Sequence, residues 1–172
     1  FKEARSENYQ NWAKNVADNA QALAEECQKL GMVLQTGGTD NHLMLIDTTT
    51  FGLTGKQAEA AMFRCGVTLN ANALPFDKNG PWWTSGIRVG TPAVTTLGMT
   101  KEDMKEIASI INLVLQGTKP GLTKEGKPAK GKIEIDAAVE EEGKKRVNAL
   151  LSKYVLYPEL DLDFLKAEFV KD

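Results

Sequence analysis

A chain of 172 residues, 42% hydrophobic and 26% charged, can bury a core without disulfide or metal staples. Its formal net charge of −2 argues against sequence-blind nucleic-acid binding, which rests on clustered cations. No apolar run approaches the roughly 18 residues that a membrane span needs. No signal peptide is visible, and a chain opening on Phe1 rather than Met reads as a fragment or a processed product.

In chain order, residues 2–30 predict one long helix. Trp12, Val16, Ala20, Leu23, Cys27 and Leu30 recur at steps of three and four, and Gly31 supplies the stop. Met32 to Gln35 and Leu43 to Asp47 predict two strands joined by the Gly-rich turn at 37–41, a hairpin. Thr54 and Gln57 form a capping-box pattern that opens a second helix, with Ala58, Ala61, Met62 and Cys65 inward and Gly66 as its end. Val67 to Asn70 predicts a strand, 72–80 a loop, and Ser85 to Gly90 a further strand. Thr100 and Asp103 open a third long helix closed by Gly117. Residues 118–132, rich in Lys, Gly and Pro, predict a mobile surface loop. A last helix runs from about Asp136 to Tyr154, Pro158 ends it, and the tail could add one short helix. Few strands with short connections imply an α+β or two-layer α/β fold, with a small, mainly antiparallel sheet and helices on one side.

Three places could carry chemistry. Arg88 lies between Ile87 and Val89, which period two turns toward the core, leaving Arg88 on the other face with Gly86 and Gly90. A guanidinium on such an open strand suits bidentate docking of a carboxylate or phosphate. The competing reading is a surface arginine paired to a nearby Asp or Glu. Trp82 and Trp83 follow Gly80 and Pro81 in a loop rich in amide side chains. One of them could wall a flat heteroaromatic ligand, since neighbours in an extended segment point opposite ways; alternatively both plug the sheet edge. His42, the single histidine, is either an acid–base group or a structural residue bonded to backbone. Cys27 and Cys65 fall at inward helix positions, as buried reduced thiols would, and no metal-ligand spacing is present.

Several of these segments together resemble the serine hydroxymethyltransferase family. Gly37 to Leu43 (GGTDNHL) is similar to a family segment, Leu53 to Glu59 (LTGKQAE) to its helix start, and Thr84 to Ala93 (TSGIRVGTPA) to its TSGIR run. Thr96 to Met99 stands where the family usually has TRG(F/M), and the order and spacing agree over residues 1 to about 117. The resemblance implies the C-terminal domain of a fold-type I, pyridoxal phosphate-dependent transferase of one-carbon metabolism. Such an enzyme interconverts serine and glycine with tetrahydrofolate as the one-carbon acceptor. Arg88 then takes the substrate-carboxylate role, and Asn72, Gly80, Pro81 and Trp82 belong to the folate site. Gly80 stands for a usual Ser and Trp82 for a usual Phe.

The cofactor's lysine in its Thr-His-Lys context has no counterpart here, so no catalytic residue and no metal ligand is expected in this chain. On this resemblance, 1–31 is a helix linking to a large domain and 32–117 the α/β core. Residues 118–132 are then the loop and 133–172 a helical extension. The expected partners are the enzyme's own large domain and a second subunit, with serine, glycine and folate as ligands, no nucleic acid and no membrane; the expected location is cytoplasmic. The alternative is a free-standing, non-catalytic binding or regulatory module that keeps the fold.

Overall fold

A computed structural model describes residues 1–170. The first long helix, α1, spans Glu7–Lys29, later than the predicted start. Ser6 sets that start: its hydroxyl accepts from the Tyr9 N–H at 3.2 Å, and only a short 3-10 turn, Glu3–Arg5, precedes it. The buried stripe of α1 is Val16, Asn19, Ala20, Leu23, Ala24 and Cys27. Leu30, predicted inward, is exposed beyond the helix end, and the Trp12 indole donates to Thr96 Oγ1 at 3.1 Å. Buried Asn19 is satisfied by donating to Thr95 Oγ1 and the Met99 carbonyl.

The central sheet has the order β1-β3-β2, with β1 at Leu43–Asp47, β2 at Asn70–Asn72 and β3 at Gly86–Gly90, all antiparallel. The predicted strand at Met32 to Gln35 shrinks to a single bridge, Leu34 to Ile46, flanking the sheet. The predicted strand at Val67 to Asn70 begins only at Asn70. Gly66 turns with φ +84° and the Val67 N–H still donates to Met62 O of the preceding helix, so pairing starts later.

Helix α2 spans Gly55–Arg64 and opens on the expected capping box: the Gln57 amide oxygen accepts from the Thr54 N–H at 2.9 Å, and Thr54 Oγ1 accepts from the Gln57 N–H at 3.2 Å. Two short helices interrupt what reads as loop. These are α3, Gly80–Trp83, and α4, Pro92–Thr96, each with proline in the first turn, where its missing N–H costs nothing. Helix α5, Lys101–Gln116, starts at Thr100, whose N–H is accepted by the Asp103 carboxylate at 2.9 Å.

Residues 118–132 do not form a loop. Strands β4, Thr118–Leu122, and β5, Pro128–Ile135, make an antiparallel hairpin. Its backbone is tied to α2: Gln57 Nε2 donates to the carbonyls of Ala129 at 2.7 Å and Lys132 at 2.8 Å, and Thr54 Oγ1 donates to Lys130 O at 2.8 Å. These tertiary bonds overrule the loop-like composition. Helix α6 spans Ala137–Leu151 from an Asp136 cap, and α7 spans Leu162–Phe169 with no buried residue.

One core joins these elements. Met44, Ile46, Ile87 and Val89 from one sheet face meet Leu23 and Cys27 of α1, Ala58 and Met62 of α2, and Met104, Ile111 and Leu115 of α5. The fold is mixed α+β with small antiparallel sheets, as expected. Arg88 is exposed on the opposite face of the three-stranded sheet.

Candidate functional site: an arginine on an exposed sheet face and an aromatic groove

Arg88 occupies the middle of the central strand. Its register partners are Leu45 on β1 and Asn70 on β2, while Asn72 stands opposite Gly86. Directly opposed residues in an antiparallel sheet share a face, so Arg88, Asn70 and Asn72 project from the side that the helices leave open.

The guanidinium donates to Asn70 Oδ1 at 3.1 Å. No carboxylate lies within ion-pair distance of it among the described residues, so the competing Asp or Glu pairing is not what the structure holds. A neutral amide orients the cation without neutralising it. Arg88 lies at the rim of a depression of about 500 Å³ with His42, Asn70, Gly90 and Pro92; its floor is apolar and comes from the core side, including Val89, Ile107 and Ile111.

The two flanking glycines differ in purpose. A Cβ at Gly86 would come within 2.5 Å of Leu74 Cδ2, so that side of the arginine is filled by Leu74 rather than open. A Cβ at Gly90 would approach the His42 carbonyl at 3.2 Å and meet Leu43 and Pro92 at ordinary contact distance. His42 has an exposed side chain with no hydrogen bond among the described residues; its carbonyl accepts from the Thr91 N–H at 3.1 Å and from the Thr91 hydroxyl at 3.5 Å.

The tryptophans lie in a second place. Trp82 and Trp83 both line a groove of about 550 Å³ with Lys56, Glu59, Phe63 and Gly131. Because Gly80–Trp83 is a helical turn and not extended, neighbouring side chains are rotated by about 100° rather than opposed, and both reach one groove. Trp82 is 78% exposed. Pro81 is also exposed. Gly80 has φ +73°, and a Cβ there would meet nothing within 4 Å, so conformation rather than space favours glycine. Asn72 is half-buried and donates to the Ala73 carbonyl at 2.8 Å. The arginine depression and the aromatic groove share Leu69 but are distinct hollows.

Asp77 organises the loop between them. Its carboxylate accepts from the N–H groups of Leu74 (3.0 Å), Asn79 (2.8 Å) and Ser85 (2.8 Å), and from the Ser85 hydroxyl at 2.6 Å. Burial alone would raise this carboxyl, but the four bonds hold it below the usual aspartate range. The sequence signal was local: an Asp two residues before Asn-Gly, the pattern of an Asx turn. Nothing in the spacing marked Asn70 as the residue that holds Arg88; only the strand register reveals it.

The ordinary chemistry of a pyridoxal site is not supplied by these residues. All lysines among the described residues are exposed, and none lines the arginine depression. A Schiff-base lysine needs an enclosed, desolvated setting, so no step through that cofactor follows from this chain's own groups. The two thiols are buried, and burial pushes Cys27 up to about 12, far from a nucleophilic thiolate. Among the described residues no cluster of His, Cys, Asp or Glu could hold a metal ion, and no helix is long and apolar enough to cross a membrane.

The geometry therefore defines a small α+β domain that presents an unneutralised arginine beside an aromatic groove. The serine hydroxymethyltransferase family model matches residues 1–111. Serine hydroxymethyltransferase of Treponema pallidum is 53% identical over 171 residues, covering 99% of this chain and 30% of that protein. The enzymes of Salinispora tropica and Cutibacterium acnes are 48% and 47% identical, each over 93% of this chain and about a third of their own length. The chain belongs to the serine hydroxymethyltransferase family and spans about a third of the length of the relatives it matches.

Proposed function

We propose that this chain serves as the C-terminal domain of a serine hydroxymethyltransferase, interconverting serine and glycine with tetrahydrofolate as the one-carbon acceptor. Arg88 docks the carboxylate of the amino-acid substrate. Asn72, Gly80, Pro81 and Trp82 form part of the folate site, with the Trp82 ring as its exposed aromatic wall. The pyridoxal phosphate, which supplies the electron sink when bound, is held mainly by the large domain, so the chain alone is inactive. In this reading 1–31 carries the connection to the large domain, 32–117 the core, and 133–172 a C-terminal extension that holds α6 and α7, and the assembled enzyme acts in the cytoplasm with a second subunit.

The observation that carries the reading is the state of Arg88: exposed on the open sheet face, steered by Asn70 and without a carboxylate partner among the described residues. Such a cation gains by donating bidentately to a ligand carboxylate. Arg88→Ala in the full-length enzyme is expected to raise the serine KM and to lower kcat/KM. A lost charged contact is worth about 2–4 kcal/mol, or roughly 30- to 1,000-fold. Unchanged serine kinetics would refute the role.

A further inference from the structure

The β4–β5 hairpin lies outside the segment matched by the family model, yet it reaches the aromatic groove. Gly131 of β5 lies against the Trp83 ring: a Cβ there would stand 2.7 Å from Cζ3 and 3.2 Å from Cη2. Gly131 is not among the glycines with positive φ, so its backbone would accept an alanine. What the position requires is space for the ring. The strand around it is held in place by Gln57, which bonds the carbonyls of Ala129 and Lys132, and by Thr54, which bonds that of Lys130. The next residue, Gly55, donates its N–H to Thr84 O at 3.0 Å, just beyond α3. Gly55 itself admits no side chain, since a Cβ would lie 2.1 Å from Thr84 Oγ1. Hairpin, first turn of α2 and end of α3 are thus one bonded unit, and the Trp83 ring fills the gap inside it.

We propose that Gly131 is a positioning residue: its missing side chain lets the Trp83 ring seat on β5, and that seat fixes α3 and hence the orientation of Trp82 in the groove. The functional consequence rests on the folate reading of Trp82 given above. The seat itself does not.

The test uses the full-length enzyme. In Gly131→Ala the methyl group displaces the Trp83 ring. The tetrahydrofolate KM rises about two- to tenfold, the span expected for one disturbed aromatic contact. The serine KM and kcat stay within about twofold, because Arg88 lies in the other hollow. Tryptophan emission moves to longer wavelength as the ring is exposed. In a Trp83→Leu background Gly131→Ala adds no further effect, since the ring it would displace is gone. Should Gly131→Ala fail to fold, Trp83→Leu alone reads the same seat and gives the same folate-specific rise.

Trp82→Ala separates the two claims. If it raises the folate KM while Gly131→Ala changes neither that KM nor the emission, the proposal is overturned. If Trp82→Ala leaves the folate KM unchanged, the folate wall fails, and the emission alone decides the seat: a shift supports it and no shift overturns it. Equal losses in serine and folate kinetics, additive with Trp83→Leu, would mark Gly131 as merely structural and also overturn the proposal.

Discussion

The Arg88 guanidinium donates to the Asn70 side-chain oxygen at 3.1 Å, between two residues that stand directly opposite one another on β3 and β2. The amide holds the cation in place and leaves its charge available. Replacing Asn70 by Asp would supply an ion-pair partner of the same size, which then competes with a substrate carboxylate. In the full-length enzyme, Asn70→Asp is expected to raise the serine KM about 3- to 10-fold, since exposed ion pairs and single hydrogen bonds are each worth about 1 kcal/mol. Asn70→Ala should raise it less. Steady-state serine kinetics of the two variants decide this, and an Asn70→Asp enzyme with the parent KM would contradict it.

Asp77 collects four hydrogen bonds within residues 74–85. Asp77→Ala leaves three backbone N–H groups to find water or go unpaired. The expected cost is about 2–3 kcal/mol, or roughly 5–10 °C in Tm for a domain of this size. Thermal melting of the chain measures the loss. The folate KM of the full-length enzyme should rise with it, because α3 hangs from this loop.

Acid stability follows from carboxyls held below their ordinary values. Glu106 is lowered chiefly by its bonds to Arg146, whose Nε and Nη2 reach the two carboxylate oxygens at 2.8 Å each. Burial would raise Asp103, but the Thr100 N–H and the Tyr154 hydroxyl, at 2.6 Å, lower it. Both folded values lie below the free values of 4.5 and 3.8, so the unfolded chain binds more protons as pH falls. Their stabilisation is complete above about pH 4.5 and is lost as pH drops through the folded values. Urea midpoints should therefore stay level from pH 7 to 5 and decline toward pH 3. Glu106→Gln should make the decline shallower, and an unchanged slope in that variant would contradict the assignment.

Much of the scaffold can be read from local chemistry. Thr54 with Gln57, and Thr100 with Asp103, mark the starts of α2 and α5 because a cap is a contact between near neighbours. The alternation Ile87-Arg88-Val89 places Arg88 on the open face for the same reason. Other features depend on partners distant in sequence. The composition of 118–132 predicts a loop, yet Gln57, some seventy residues earlier, bonds its carbonyls and steadies a hairpin. The Gly-Pro before the tryptophans starts a helical turn, so both rings reach one groove. Leu74, in the loop after β2, covers Gly86, and strand register brings Asn70 rather than an acid to Arg88; no single segment carries either contact.

On the proposed division of labour, this domain offers a carboxylate-binding arginine and part of a folate wall, while the cofactor is held elsewhere. The most direct measurement is to incubate the 172-residue chain with pyridoxal phosphate, dialyse it, and record its near-ultraviolet and visible spectrum beside an assay for glycine formation from serine and tetrahydrofolate. The expected result is no retained cofactor band and no turnover. A band that survives dialysis, with or without turnover, would contradict it.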